Sequence, residues 1–167
     1  NMLVYNVLDL IINVLRSFPF IILIVFIIPL TRAIVGTPIG EAAAIVPLTI
    51  AAAPFVARII ESSLKEVDSG VIEAAKSFGA SNTQIIFKVM LKEAVPSIIS
   101  GLTLTIINII GYSAMAGSVG AGGLGKVAIS YGYQRYQTDV MIVTVIILII
   151  MVQGLQSLGN YLYKKLS

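Results

Sequence analysis

Residues 120–127 read Gly-Ala-Gly-Gly-Leu-Gly-Lys-Val and match two nucleotide-binding patterns at once. Gly120, Gly122 and Gly125 have the spacing of the dinucleotide loop, and Gly120, Gly125 and Lys126 that of the phosphate loop. Such loops follow a β-strand, and the phosphate loop needs a hydroxyl after the lysine to hold magnesium. Val127 stands in that place. Little else in the chain offers reaction chemistry. It has no Cys and no His, which removes thiol nucleophiles, disulfides, Cys/His metal sites and imidazole acid–base catalysis. No paired-carboxylate or serine–base arrangement stands out. The expectation is no catalytic set, no metal site and no cofactor held by this chain, and the glycine motif must be judged by its surroundings.

Those surroundings are apolar. The 167 residues are 57% hydrophobic and 11% charged, against about 25% charged in a soluble domain. Several stretches approach or exceed the roughly 18–20 apolar residues that cross a membrane. The fold class expected is all-α, a polytopic membrane helical bundle forming one transmembrane domain over residues 1–167. Four spans are read, at about 10–31, 42–60, 94–116 and 139–160, with a polar segment at 61–92. In residues 1–16 the polar side chains Asn6, Asp9, Asn13 and Arg16 recur every three or four positions, one stripe on a helix. The simpler reading has it facing water or headgroups; the other is a specific contact in the bundle. Pro47 and Pro54 lie seven apart and share a face.

The net charge of +3 is small and unevenly placed, so it reads as a topology signal and not as a nucleic-acid surface. Arg58, Lys65, Lys76, Lys88 and Lys92 lie at 58–92, and Lys164 and Lys165 in the tail two spans later. The opposite loops hold Arg32, Lys126 and Arg135. Seven against three puts 58–92 and the C-terminus in the cytoplasm. Residues 117–137 then lie outside, away from ATP and NAD. The nucleotide reading is dropped for a flexible turn whose glycines end the third span and let backbones approach.

The cytoplasmic segment holds two short helices. Ser69 can cap the first, and Gly79 suits the left-handed residue that ends it. Ser81 and Gln84 form a capping box for the second. Val71, Ala74, Ala75 and Phe78 share one face of the first helix. A helix of this length is marginal alone in water, so that face must be covered. Spacing leaves two possibilities open: packing on the chain's own spans, or docking into a cleft on a cytoplasmic partner.

Glu73-Ala74-Ala75, then Gly79, Val89 and Leu91, resembles the "EAA" loop of ABC importer permeases, whose pattern is E-A-A-x3-G-x9-I-x-L-P. Val89 is a conservative variant. Lys92 departs from the family's proline and weakens the kink expected there, which Pro96 can supply one turn later. The likeness extends to the methionine-uptake subfamily through Arg16-Ser17-Phe18-Pro19-Phe20, AIVPLTIAAAPFVAR (44–58) and GYSAMAGSVGAGGLG (111–125). The resemblance implies a type I importer fold with five spans, the first lying before the point where this chain starts. That missing span leaves the start on the cytoplasmic side, in agreement with the charge count. It also implies a bacterial inner-membrane homodimer working with cytoplasmic ABC ATPase subunits, which hydrolyse the ATP, and with an extracytoplasmic substrate-binding protein. Glu73, Ala74, Ala75, Phe78, Gly79 and Leu91 are then the ATPase-docking residues.

The interiors of the second, third and fourth spans hold no Asp, Glu, Lys or Arg. A charge there is expensive and is kept mainly for function, so no ion-coupling site of its own is expected, which agrees with the separate ATPase that the resemblance implies. The third span is the most polar. Its hydroxyls and amides either bond neighbouring helices or line a translocation path. The resemblance favours the path, with Asn108, Tyr112 and Ser113 on its wall and Met115 as its gate, the flexible thioether closing and moving aside. A small amino acid such as D- or L-methionine is the expected substrate. The reading from another class is a non-transporting membrane scaffold that recruits a partner through the same loop.

Overall fold

Proline and glycine decide where the apolar chain breaks. The computed structural model describes residues 2–166. The first helix, α1 (Met2–Ser17), ends where the chain turns by 103° into α2 (Phe20–Phe26). Pro19 sits in the turn with φ −60° and ψ 129°; with its ring nitrogen blocked it has no N–H to continue α1. A second irregularity falls at Ile27 (φ −94°, ψ 11°) before α3 (Ile28–Val35). Pro29 cannot donate to Val25 and its ring crowds that turn. The stretch 10–31, expected as one span, is therefore three helical pieces, with the 103° bend inside it.

The second span fares differently. Helix α4 (Glu41–Lys65) is uninterrupted by Pro47 and Pro54 and runs five residues past the expected end at 60. Both prolines are buried in one stripe with Ala43 and Ala51, the shared face expected from their spacing. After α5 (Ser69–Ser77) comes α6 (Asn82–Ala116), continuous through Lys92 and Pro96. Its irregularity lies earlier, in a wide turn over Ile85–Met90, where the Leu91 N–H donates to the carbonyl of Ile86, five residues back.

At Val119 and Gly120 the backbone leaves helical geometry and reverses. A short helix, α7 (123–133), packs back against α6 before α8 (Thr138–Leu166). The stretch 117–137, read as a flexible connection, thus contains an ordered helix. Its second half is wound in wide turns, with the Gln134 N–H on the Ile129 carbonyl at 2.9 Å, a pattern with no ordinary helical periodicity to read.

Among the described residues three helices, α4, α6 and α8, are long and apolar enough to cross a membrane, and α1 with α2 make a fourth crossing if the bent pair is one span. Helix α6 packs on α4 along one side and α8 along another. Gly101 and Gly159 permit those approaches: a Cβ at either would meet Ile59 of α4 or Thr103 of α6. The buried core, Phe20, Leu23, Ile27, Ala51 and Ala116, gathers where α2 crosses α4 and the end of α6. Most other apolar side chains point outward, among them Ile142, Ile146 and Ile150 of α8, as suits helices whose solvent is lipid. Helix α5 and the end of α8 lie at one end of the bundle, where they line one cavity. The loop before α4 and the glycine turn lie together at the other, with Ile39 against Gly120 and Glu41 beside Gly122.

Candidate coupling helix and translocation path

Helix α5 is capped at both ends. The N-cap is Asp68, not Ser69: its Oδ1 accepts from the backbone of Gly70 at 2.8 Å and Val71 at 3.3 Å. The expected cap was displaced by one residue because a carboxylate, favoured by the helix dipole, stood next to the hydroxyl. At the other end Gly79 has φ +78°, the left-handed conformation anticipated for it. The Ala80 N–H donates to the Ala75 carbonyl at 3.1 Å and that of Gly79 to Lys76 at 2.9 Å, the paired bonds of a Schellman end. The capping box also forms, with the Ser81 N–H on Gln84 Oε1 at 2.9 Å and the Gln84 N–H on Ser81 Oγ at 3.3 Å.

These caps set which side of α5 is left open. Ile72 and Ala75 are half-buried, and α5 rests on the wide turn Ile85–Met90. Glu73, Ala74, Phe78 and Gly79 face away and are exposed, Phe78 at 90%, while Val71 borders the cavity between α5 and the spans. The expected apolar face is therefore split: Ala75 turns inward and Val71 borders the cavity, while Ala74 and Phe78 turn outward. Leu91 stands on α6, also exposed, behind the wide turn that its N–H helps close.

Helix α6 carries the candidate path. Leu104, Asn108, Gly111 and Met115 are exposed and recur at four, three and four residues, one stripe between the contacts with α4 and α8. Towards the α5 end the stripe runs into a cavity of about 810 Å³ lined by Ser97, Ser100, Glu66 and Lys92 among others. Two hydroxyls and a carboxylate are chained across it: Ser63 Oγ donates to Ser97 Oγ at 3.0 Å, and Ser97 Oγ to Glu66 Oε2 at 2.8 Å. By contrast, the groove along α4 past Ile45, Ala52, Ala53 and Ile60 is lined almost wholly by apolar side chains. Tyr112 lies at the stripe's margin with its ring stacked on Phe20 at 4.6 Å. Ser113 is on another face, lining a groove with Leu48, Leu124 and Met151, so it is not brought together with Asn108 and Met115. Thr103 and Thr105 bond carbonyls of their own helix, those of Ile99 and Gly101.

The polar stripe of α1 meets α4. Asp9 and Asn13 both accept from Arg58, and Tyr5 donates to Glu61; Arg16 lies over the Phe55 ring at 5.1 Å. For Asp9, Asn13 and Arg16 the specific contact, not the water-facing reading, holds, while Asn6 is exposed. Its spacing was visible in the sequence, but its partner on α4 was not.

The glycine motif is filled by protein. A Cβ on Gly125 would fall on the backbone of Ala114, and one on Gly117 on the backbone of residues 122–126. The Glu41 carboxylate lies 3.6 Å from a Cβ built on Gly122, so an anion approaching the start of α7 would meet a like charge.

The whole chain, residues 1–167, matches the family described as binding-protein-dependent transport system inner membrane component. A probable D-methionine transport system permease protein MetI of Vibrio cholerae is 56% identical over 155 residues, 93% of this chain and 69% of that protein. The methionine import system permease protein MetP of Bacillus subtilis is 46% identical over 160 residues, 96% of this chain and 72% of that protein. Among solved structures, an inward-facing conformation of the MetNI methionine ABC transporter matches with a TM-score of 0.95 and 47% identity, covering all of this chain and 77% of the other. The chain belongs to the family of binding-protein-dependent transport system inner membrane components.

Proposed function

We propose that this chain is the membrane-spanning subunit of an ATP-driven importer of methionine or a closely related small amino acid, acting as a homodimer. The observation that carries the proposal is the state of α5. A helix this short is kept folded by two complete caps, is anchored on α6 by one side, and presents Glu73, Ala74 and Phe78 outward from the bundle. A 90% exposed phenylalanine on such a helix suits a cleft on a partner, here an ATPase subunit in the cytoplasm. The uneven distribution of basic residues supports that side for α5 and the C-terminus.

Closure of two ATPase subunits on ATP would draw the two copies of α5 together and turn the spans. The stripe from Ser97 through Asn108 to Met115, facing its copy across the dimer axis, is the path. Its mixed polar and apolar surface suits a zwitterion with an apolar side chain. Met115 closes its far end, where a binding protein delivers substrate. The methionine specificity rests on the names of the relatives. Reconstituted in vesicles with ATPase subunits and a binding protein, the chain is expected to take up labelled methionine only with ATP. Tight ATPase binding without uptake would leave the scaffold reading instead.

A further inference from the structure

Arg58 lies two turns before the end of α4, with its side chain 27% exposed. Its Nη2 donates to Asp9 Oδ1 at 2.6 Å and Asn13 Oδ1 at 2.8 Å, both on α1, and its Nη1 to Glu61 Oε2 at 2.6 Å. Asn13 Nδ2 donates to Asp9 Oδ2 at 2.9 Å. Glu61 Oε1 also accepts from Tyr5 of α1 at 2.8 Å and from Lys65 at 2.7 Å. Two carboxylates thus meet two cations in a network reaching from Tyr5 to Asn13. On one side of it, α4 ends three residues before Asp68, the cap of α5. On the other, α1 bends at Pro19 into α2, whose first residue, Phe20, stacks on Tyr112 at 4.6 Å and 19°. Met115 follows Tyr112 three residues later on the same helix.

We infer that Arg58 is a positioning residue that makes α1 and α2 an arm of the coupling helix, carrying the displacement of α5 to Tyr112 and so to the gate at Met115. The inference rests on the transport reading above. Apolar helix faces can slide past one another in small shear steps. Charge-assisted bonds from a forked guanidinium to two residues of α1 are directional and resist that slide. Removing one partner leaves the other groups of the network without a bond they now hold. At the far end of the arm the bend holds a ring with fixed φ, and the stacked rings transmit contact without a hydrogen bond.

The chain has no cysteine, so one copy of the homodimer can carry two spin labels, at Leu8 of α1 and Ile60 of α4, beside an unlabelled copy. In the assembled, reconstituted importer their separation is expected to be the same without nucleotide and with ATP trapped. R58Q is expected to let the separation change between those states and to lower methionine uptake per ATP hydrolysed about tenfold. R58K, which keeps the charge but loses the fork, is expected to fall between. If R58Q does not assemble, D9N, which leaves Arg58 its bonds to Asn13 and Glu61, is expected to show the same two changes in smaller measure. A separation that changes with ATP in the unsubstituted importer overturns the inference, as does a substituted importer with unaltered separation and unaltered uptake per ATP. ATP-dependent uptake by the unsubstituted importer tests the transport reading by itself. Uptake with a changing separation overturns the arm alone, and absence of uptake overturns both.

Discussion

Two glycine-punctuated turns, one at each end of the bundle, look alike in sequence and behave as opposites. At Gly79 a Cβ would meet nothing within 4 Å, and only the backbone conformation, φ +78°, demands glycine. At Gly125 a Cβ has no room, because the backbone of Ala114 already occupies its place. The first turn ends a helix that rests on the bundle by one side and is open on the other; the second is packed into the bundle. A glycine kept for its torsion angle leaves the surface around it available to a partner. A glycine kept for close approach belongs to the interior, whatever motif its neighbours spell.

That contrast can be broken most severely at Gly125. Gly125→Val is expected to destabilise the chain by about 3 kcal/mol or more, because overpacking against backbone cannot be relieved by a rotamer change. Thermal unfolding of the detergent-solubilised protein and its yield in membranes read the loss. Gly79→Leu should leave both nearly intact, costing about 1–2 kcal/mol of left-handed strain confined to the end of α5. Its effect is expected in function, with substrate-stimulated ATPase of the reconstituted complex down about tenfold. Unchanged stimulation in that variant would remove α5 from the coupling route. Met115→Ala, at the far end of the stripe, is expected to do less: roughly a threefold rise in passive methionine leak, measured in vesicles without ATP, with assembly unaffected. Lys126→Ala should change neither ATP hydrolysis nor uptake. A loss of nucleotide binding there would revive the phosphate-loop reading of residues 120–127.

Much of this arrangement was legible in the sequence where local chemistry decides. Ser81 and Gln84 formed the reciprocal cap their spacing announced, Gly79 took the left-handed conformation, and Pro47 and Pro54 shared a buried face. Competition between neighbours was harder to read: Asp68 and Ser69 are both cap formers, and the carboxylate won. Long-range geometry was harder still. Pro19, Pro47, Pro54 and Pro96 all fall in apolar stretches, yet of these four only Pro19 accompanies a sharp bend; Pro47 and Pro54 are buried within α4 and Pro96 lies inside α6. The ordered helix at 123–133 was missed because wide turns lack the 3.6-residue repeat that marks a helix. For the candidate site, the residue types were named from the motif, while their faces came from the fold. Asn108 and Met115 share a stripe, Ser113 does not, and the polar stripe of α1 found its partner in Arg58, 45 residues on from Asn13.

Phe78 gives the most direct test of the claim that α5 is the docking element. The sequence contains no cysteine, so Phe78→Cys supplies one thiol at a position 90% exposed in the isolated chain. Labelling of that thiol by a charged maleimide should be fast in the subunit alone. It should be strongly protected once ATPase subunits are bound, with a short bifunctional reagent joining the two proteins through it. Equal labelling in the free and assembled forms, with no cross-link to the ATPase, would contradict the account.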